Sequence, residues 1–328
     1  METPHPLRIG IAGCGGQGCV LARAVTRIPS LRLVASADPI AEAAAQVARL
    51  APDVRAYSSV EALLKGSEVD AVLVATPHHM LQPVALAAVR AGKHVLAEKP
   101  IALNEQQAAA LEDAVAQKGV RFQAGYSFRF SFARYVRELL DAGAVGEIQA
   151  QLGTICTQPL DKGWLATPET GGGPLLFVGS HLVDLALWYA GDEPADVDAN
   201  VRRRADTGAD ETTALRIRFT RGTTAQLLVS QAASTFYFTL DVIGKHGRVT
   251  LRGWSFLQFE IEVISSAVAA YSHPTVIRPR IFGDNIDAML VPELTEFANA
   301  IREQREPAIT VGDGRRVLRV LDAAFAYA

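Results

Sequence analysis

Over its first 127 residues the chain alternates short apolar, β-rich runs with helical stretches, and that alternation constrains the fold more than any other feature. The runs are "LRIGIAG" (7–13), "LRLVASAD" (31–38), "DAVLVATP" (70–77), "KHVLAEKP" (93–100) and "RFQAGYS" (121–127). Helical patterns follow the first run and cover 41–51, 80–92 and 104–118. Neighbouring parallel strands need a crossover connection, so strands separated by helices predict a parallel sheet covered on both faces. The expected class is α/β, built on a doubly wound parallel sheet.

In such sheets ligands bind beyond the carboxyl ends of the strands. The residues of unusual chemistry collect there: Gly13 to Gly18 after the first run, Asp38 after the second, then Thr76-Pro77, then Glu98-Lys99-Pro100. "GCGGQG" fits G-x-G-x-x-G with Gly13, Gly15 and Gly18, and it follows a strand and opens a helix as that mechanism requires. The first glycine permits the tight turn, the second lets pyrophosphate approach the backbone, and the third lets helix and strand pack closely. Gly16 and Gln17 lie inside the same turn, where the helix N-terminus offers N–H groups and partial positive charge to phosphates. Asp38 lies 20 residues beyond Gly18, at the end of the second strand, where a carboxylate accepts hydrogen bonds from an adenosine ribose. A ribose 2′-phosphate there would meet like charge worth ~4 kcal/mol at 4 Å and an effective dielectric of 20. Pro39 and Ile40 provide no cation, so the expected cofactor is NAD rather than NADP.

From "GEIQAQLGTICT" (146–157) the pattern changes to long strands and turns, at 197–204, 212–220, 223–232, 236–244, 247–252 and 256–264. Successive strands without intervening helices predict an antiparallel sheet, and residues 265–290, with several prolines, read as an irregular arm. Helices at 292–305 and 313–327 close the chain. The expected division is a dinucleotide-binding domain over 1–127 and an α+β domain with a large, mostly antiparallel open sheet over 128–328. Between these strands stands "GGGPLLFVGSHLVDLALWYAGD" (171–192): a glycine approach, a helix apolar almost all round, and a stop at Gly191. His181 and Asp184, three apart, share one face of that helix. Polar groups in a core need partners, since burying one unpaired costs roughly 1–3 kcal/mol. By themselves the two read as a satisfied core pair.

The totals exclude several function classes. With 32 Lys and Arg against 35 Asp and Glu the net charge is -3, which gives no general attraction to nucleic acid or anionic membranes. The one basic run, Arg202 to Arg204, lies in a strand-like stretch and reads as a solvated edge. Cys14, Cys19 and Cys156 form neither a disulfide framework nor a metal-ligand spacing, and His78-His79 has no second cluster to complete a site, so no metal is expected. No run approaches the ~18 apolar residues of a membrane span, and the N-terminus lacks the regions of a signal peptide. The reading is a soluble, cytoplasmic protein.

"GCGGQG", then "VATP" with "AGKHVLAEKP", then "GYSFRFS", "GAVGEI" and "GGGPLLFVGSHLVDLALWYAG" resemble the Gfo/Idh/MocA oxidoreductases in order and spacing, over nearly the whole chain. The resemblance implies an N-terminal Rossmann domain and NAD(P)-dependent oxidation or reduction of sugars, cyclitols and related carbonyl compounds. It also implies a homodimer or homotetramer formed through the C-terminal sheet. It places Lys99 between nicotinamide and substrate, where a cation polarises a carbonyl or steadies an alkoxide. Glu98 belongs to the same signature, and Thr76, Pro77 and His78 match the loop under the dinucleotide. His181, with Asp184 orienting it, becomes the proton donor and acceptor, suited by an ordinary pKa near 6.5. Tyr126, Arg129 and Trp164 are placed to line the substrate cleft, with Ser127 where an Asn is common. Phe177 stands where the family usually has an Asp four residues before the histidine. It removes a charge and an acceptor and adds an apolar ring. Two alternatives accompany a dehydrogenase: a non-catalytic NAD-binding sensor, favoured by Phe177, and an NAD-dependent glycosidase working through transient oxidation.

Overall fold

The computed structural model describes residues 5–159, 163–165, 167–279 and 285–326. The first elements are β1 (Leu7–Ala12), α1 (Gly16–Val25), β2 (Leu31–Ala37), α2 (Ala41–Ala48), β3 (Arg55–Tyr57), α3 (Val60–Gly66), β4 (Ala71–Val74), α4 (His78–Arg90), β5 (His94–Glu98), α5 (Glu105–Lys118) and β6 (Phe122–Gly125). Then come α6 (Phe132–Asp141), β7 (Ile148–Cys156), α7 (Ser180–Ala190), β8 (Pro194–Arg203), β9 (Asp210–Phe219), β10 (Thr224–Ser230), β11 (Tyr237–Gly244), β12 (Gly247–Ser255), β13 (Gln258–Ser265), β14 (Thr275–Ile277), α8 (Ile286–Arg302) and α9 (Val311–Ala326). They form two compact units: Met1–Ser127 with Asn285–Arg316, and Phe128–Asp284 with Val317–Ala328.

The first unit is the doubly wound Rossmann sheet. Its six strands run in the order β3-β2-β1-β4-β5-β6, and every pairing is parallel. The buried strands are continuous apolar runs, as "AVLV" in β4 illustrates, because helices cover both faces. Strand order reverses between β1 and β4, and a crevice at such a switch point is where these sheets bind nucleotides. Two elements go beyond the sequence expectation. β3 has three residues, none of them buried, and α3 has seven, started by the Ser59 side chain accepting from Ala62 N–H; both are too short for a periodic signal.

The expectation that everything after residue 127 belongs to the second domain needs one correction. Residues 285–316 return to the first unit, where α8 packs on α1 and Arg23 grips Asp287 through two bonds of 2.9 Å. That helix begins at Ile286 rather than 292, because Asn285 caps it by accepting from Asp287 N–H at 2.9 Å. Pro292 thus lies inside the helix.

The second unit is built on an eight-stranded sheet in the order β14-β13-β12-β11-β7-β10-β9-β8. Only β7 and β10 pair in parallel; the other pairings are antiparallel. β14 falls within the stretch read as irregular, since a three-residue edge strand flanked by prolines carries no alternating signal. Helix α7 packs on β7 and β10, and Gly153 makes room for it: a Cβ there would lie 2.9 Å from Leu182 Cδ1. Leu152 and Leu228 stay exposed on their strands, in keeping with a sheet covered on one face. Among the described residues no helix is long and apolar enough to cross a membrane.

Candidate active site

In the first unit, the expected dinucleotide residues collect at the carboxyl ends of β1, β2, β4 and β5. The chain leaves β1 at Gly13, whose φ of +88° and whose approach to the Ala75–Thr76 backbone exclude a side chain; a Cβ would lie 2.7 Å from those atoms. At Gly18 a Cβ would meet the Gly13 carbonyl oxygen at 1.9 Å, so helix and turn pack only with glycine. A Cβ at Gly15 or Gly16 would meet nothing within 4 Å. The space over these two is open, and α1 begins at Gly16 with no side chain capping it, which leaves its N-terminus available to an anion.

Asp38 holds the other side of that turn. One carboxylate oxygen accepts from Cys14 N–H and the other from Ile40 N–H, both at 2.8 Å. Two bonds fix the carboxylate and leave acceptor capacity for a ribose hydroxyl. Thr76, next to Pro77 beyond β4, carries a buried Oγ1 with no partner among the described residues, and His78, buried, opens α4. Open space over two glycines, an uncapped helix, a fixed carboxylate and an orphaned hydroxyl fit a dinucleotide. Cys14, inside the turn, is no nucleophile: burial first, and the Asp38 charge second, push its thiol up to about 12.

Gln17 joins the glycine turn to the Glu-Lys-Pro loop by donating Nε2–H to Glu98 Oε1 at 2.7 Å. Desolvation pushes the Glu98 carboxyl up, while the Lys99 charge and the Gln17 bond draw it down. The Lys99–Pro100 peptide is cis. Tyr126, expected in a substrate cleft, is fully buried just after β6. Among the described residues no three His, Cys, Asp or Glu side chains are grouped to hold a metal.

The second unit carries the histidine helix. A π-helical turn, Leu175–Gly179, follows Pro174 and runs directly into α7. The wider turn inserts a residue into the helix, a device often found at functional sites. Phe177 sits half-buried in it, and His181 and Asp184 follow in the first turns of α7, exposed by only 6% and 1%. The His181 imidazole lies flat on Phe128, with ring centroids 4.1 Å apart and planes 14° from parallel. Phe128 continues into an aromatic cluster: Phe256 stands 6.2 Å from it, and Phe236 4.7 Å from Phe256. Phe256, in the β12–β13 turn, is 38% exposed, so the cluster runs from His181 to the surface.

Arg129, expected to line the substrate cleft, is paired inside the second unit. It is buried and grips Asp184 at both oxygens, Nε at 2.9 Å and Nη2 at 2.6 Å, with its guanidinium carbon 5.3 Å from the Trp188 ring. The Asp184 charge beside His181 is therefore matched by a cation. The glycines before the helix are closely packed. A Cβ on Gly171 would lie 2.3 Å from the Trp164 carbonyl oxygen, and one on Gly173 would lie 2.1 Å from Asp210 Oδ1. Trp164 itself is half-buried in the 3₁₀ turn Gly163–Leu165, where its carbonyl accepts from Thr170 Oγ1.

Two family models match the chain: the oxidoreductase family with NAD-binding Rossmann fold over residues 7–126, and the GFO/IDH/MocA C-terminal domain over 133–250. The chain belongs to the Gfo/Idh/MocA oxidoreductase family. It is similar to two proteins named dTDP-3,4-didehydro-2,6-dideoxy-alpha-D-glucose 3-reductase. The one from Actinomadura kijaniata is 30% identical, with 92% of this chain and 88% of that protein covered. The one from Streptomyces violaceoruber is 32% identical, but the chain spans only 62% of its length, with 64% of its own. Inositol 2-dehydrogenase of Rhizobium meliloti is 27% identical over 97% of this chain and 96% of that protein. Among solved structures, GenD2 from gentamicin A biosynthesis in complex with NAD superposes with a TM-score of 0.86 at 26% identity, covering 100% of this chain and 95% of that one.

Membership in Gfo/Idh/MocA accounts for the first unit as an NAD-binding Rossmann fold. It leaves several local residues unaccounted for. Phe128 beneath His181 stands in "GYSFRFS", but nothing in that stretch says which ring meets the imidazole. Asp210 against Gly173 has no sequence signal at all.

Proposed function

We propose that this chain is an NAD-dependent oxidoreductase that interconverts a hydroxyl and a carbonyl carbon on a sugar, a cyclitol or a related small molecule. The observation that carries the proposal is the Gln17–Glu98 bond of 2.7 Å, because it ties the loop bearing Lys99 to the glycine turn that suits pyrophosphate. A bound nicotinamide supplies the hydride acceptor or donor at C4. Lys99 polarises the substrate oxygen, and His181 moves the hydroxyl proton, its ring held flat by Phe128 and its flank charge-balanced by the Arg129–Asp184 pair. Tyr126, Arg129 and Trp164 belong to the substrate side.

NAD is preferred over NADP because Asp38 would face a ribose 2′-phosphate, and Pro39 and Ile40 after it bring no cation. The cofactor domain is residues 1–127, completed by 285–316. The second domain binds substrate and, through the exposed sheet face bearing Leu152 and Leu228, pairs copies of the chain into a homodimer or homotetramer. Free thiols at Cys14, Cys19 and Cys156 suit the cytoplasm. One observation favours a second reading: Phe177 removes a carboxylate four residues before His181, which suits a sensor that binds NAD without turnover.

The test is turnover of a panel of polyols, cyclitols and keto-sugars with NAD(H) and NADP(H), for wild type and His181→Ala. The proposal expects a preference for NAD(H) and a kcat lower by roughly 10²–10⁴-fold in the variant, with dinucleotide affinity kept. Full turnover by His181→Ala removes that residue from the chemistry, a clear NADPH preference overturns the Asp38 reading, and NAD binding with no turnover on any member selects the sensor.

A further inference from the structure

The helix that carries His181 starts under an unusual constraint. Pro174 has no N–H, so Leu175 presents the first backbone donor that the incoming helix must satisfy from outside itself. No neighbouring side chain caps it. The acceptor comes instead from Asp210, 35 residues on at the start of β9, whose Oδ2 receives Leu175 N–H at 2.9 Å. Thr213 Oγ1 reaches the same oxygen at 3.4 Å. Oδ1 has no partner among the described residues and lies where a Cβ on Gly173 would come within 2.1 Å, with the Gly173 backbone at a φ of +74°. Gly173 and Asp210 are therefore fitted to each other.

A carboxylate exposed by only 1% is an expensive cap, and burial pushes its pKa up to about 7 against the pull of the Leu175 and Thr213 bonds. An exposed Ser or Asn next to the helix would satisfy the same N–H at lower cost. What Asp210 adds is an anchor outside the helix: β9 is hydrogen-bonded to β8 on one side and β10 on the other, so the carboxylate is fixed to the sheet. The bond falls on the first residue of the π-turn. A π-turn holds one residue more than an α-turn, so where it begins sets the angle at which every later side chain leaves the helix axis. Phe177 lies two residues after the bonded N–H and His181 six.

We infer that Asp210 is a positioning residue: by holding Leu175 N–H it fixes the π-turn in place and so sets where Phe177 and the His181 ring stand. This rests on the reading of His181 as the proton-moving group, but the placement of the ring is measured independently of turnover. The test compares wild type, Asp210→Ala and Asp210→Asn by amide hydrogen exchange at Leu175, by NMR of the His181 ring on Phe128, and by kcat and KM with NAD and the best substrate of the panel. In Asp210→Ala, Leu175 exchange speeds up, the ring-current shift of His181 changes, and kcat falls roughly 10–100-fold, as a displacement near 1 Å produces, while KM for NAD holds. Asp210→Asn keeps an acceptor of the same size and restores all three. A folded Asp210→Ala protein with unchanged His181 resonances overturns the inference. Should that variant fail to fold, wild type decides: a Leu175 amide exchanging as fast as an exposed loop amide overturns it, and a protected one that stays protected in Asp210→Asn upholds it. If no substrate is turned over, the proposed activity fails, and the exchange and ring measurements still judge Asp210.

Discussion

Asp184→Ala takes away the carboxylate that Arg129 grips, at a guanidinium that is only 7% exposed. The lost bonds, 2.9 Å from Nε and 2.6 Å from Nη2, are parallel and charge-assisted, the strongest pairing open to an arginine. Breaking a buried pair from one side costs about 3–5 kcal/mol, because an ion left without its counter-ion must still be kept from water. The Trp188 ring, 5.3 Å from the guanidinium carbon, offsets none of this, since that contact already exists in the wild type. Removing both charges at once behaves differently: Arg129→Met with Asp184→Leu replaces the pair by apolar groups of similar volume and is expected within about 1 kcal/mol of wild type. Urea unfolding at pH 7, followed by tryptophan fluorescence and compared at constant m, reads both numbers. An Asp184→Ala protein within about 0.5 kcal/mol of wild type, or a double variant as damaged as the single one, would refute the picture of a tightly closed pair.

The glycine turn separates packing from binding. Gly18→Ala, with its Cβ 1.9 Å from the Gly13 carbonyl, should lower the melting temperature and abolish NAD binding, whereas Gly15→Ala, whose Cβ meets nothing within 4 Å, should melt like wild type and lose NAD affinity by fluorescence titration. Stability should also fall as pH rises. The folded-state pKa of Asp210, raised from 3.8 to about 7, means that the folded chain holds this proton where the unfolded chain has released it, so the stabilisation is complete below about pH 4, declines up to about pH 7 and is flat above. At ~1.4 kcal/mol per unit that is about 4 kcal/mol, and Asp210→Asn should remove this component from a series of urea melts between pH 4 and 8. Burial of Glu293, which pushes its carboxyl up as well, adds a slope of the same sign, which Glu293→Gln should remove.

What could be read from the chain without its structure follows the reach of each interaction along the sequence. The dinucleotide turn was legible because all of its requirements lie in one strand, one turn and the start of one helix, and because Asp38 comes at a distance that strand and helix lengths impose. The five longer strands of the first sheet were legible as apolar runs, but β3, with three residues and no buried one, gives no such run. The helix expected from 292 starts at Ile286 because the cap at Asn285 is a local determinant, and β14 was hidden among prolines that its edge position tolerates.

The histidine helix shows the limit most clearly. The spacing of His181 and Asp184 put both on one face, and that inference needs nothing beyond helical geometry. Which group answers the Asp184 charge is a different kind of question, because Arg129 lies 55 residues earlier and reaches it only once the second unit has folded. The same holds for Phe128 beneath the imidazole and for Asp210 at Leu175. In each case the sequence names the residue that needs a partner, since a buried charge, ring or N–H cannot be left alone, but it does not name the partner. Local periodicity therefore identifies which side chains share a helix face, and tertiary packing decides their partners and orientation. Substitutions at Arg129, Phe128 and Asp210 should consequently shift the His181 ring without replacing His181 or Asp184.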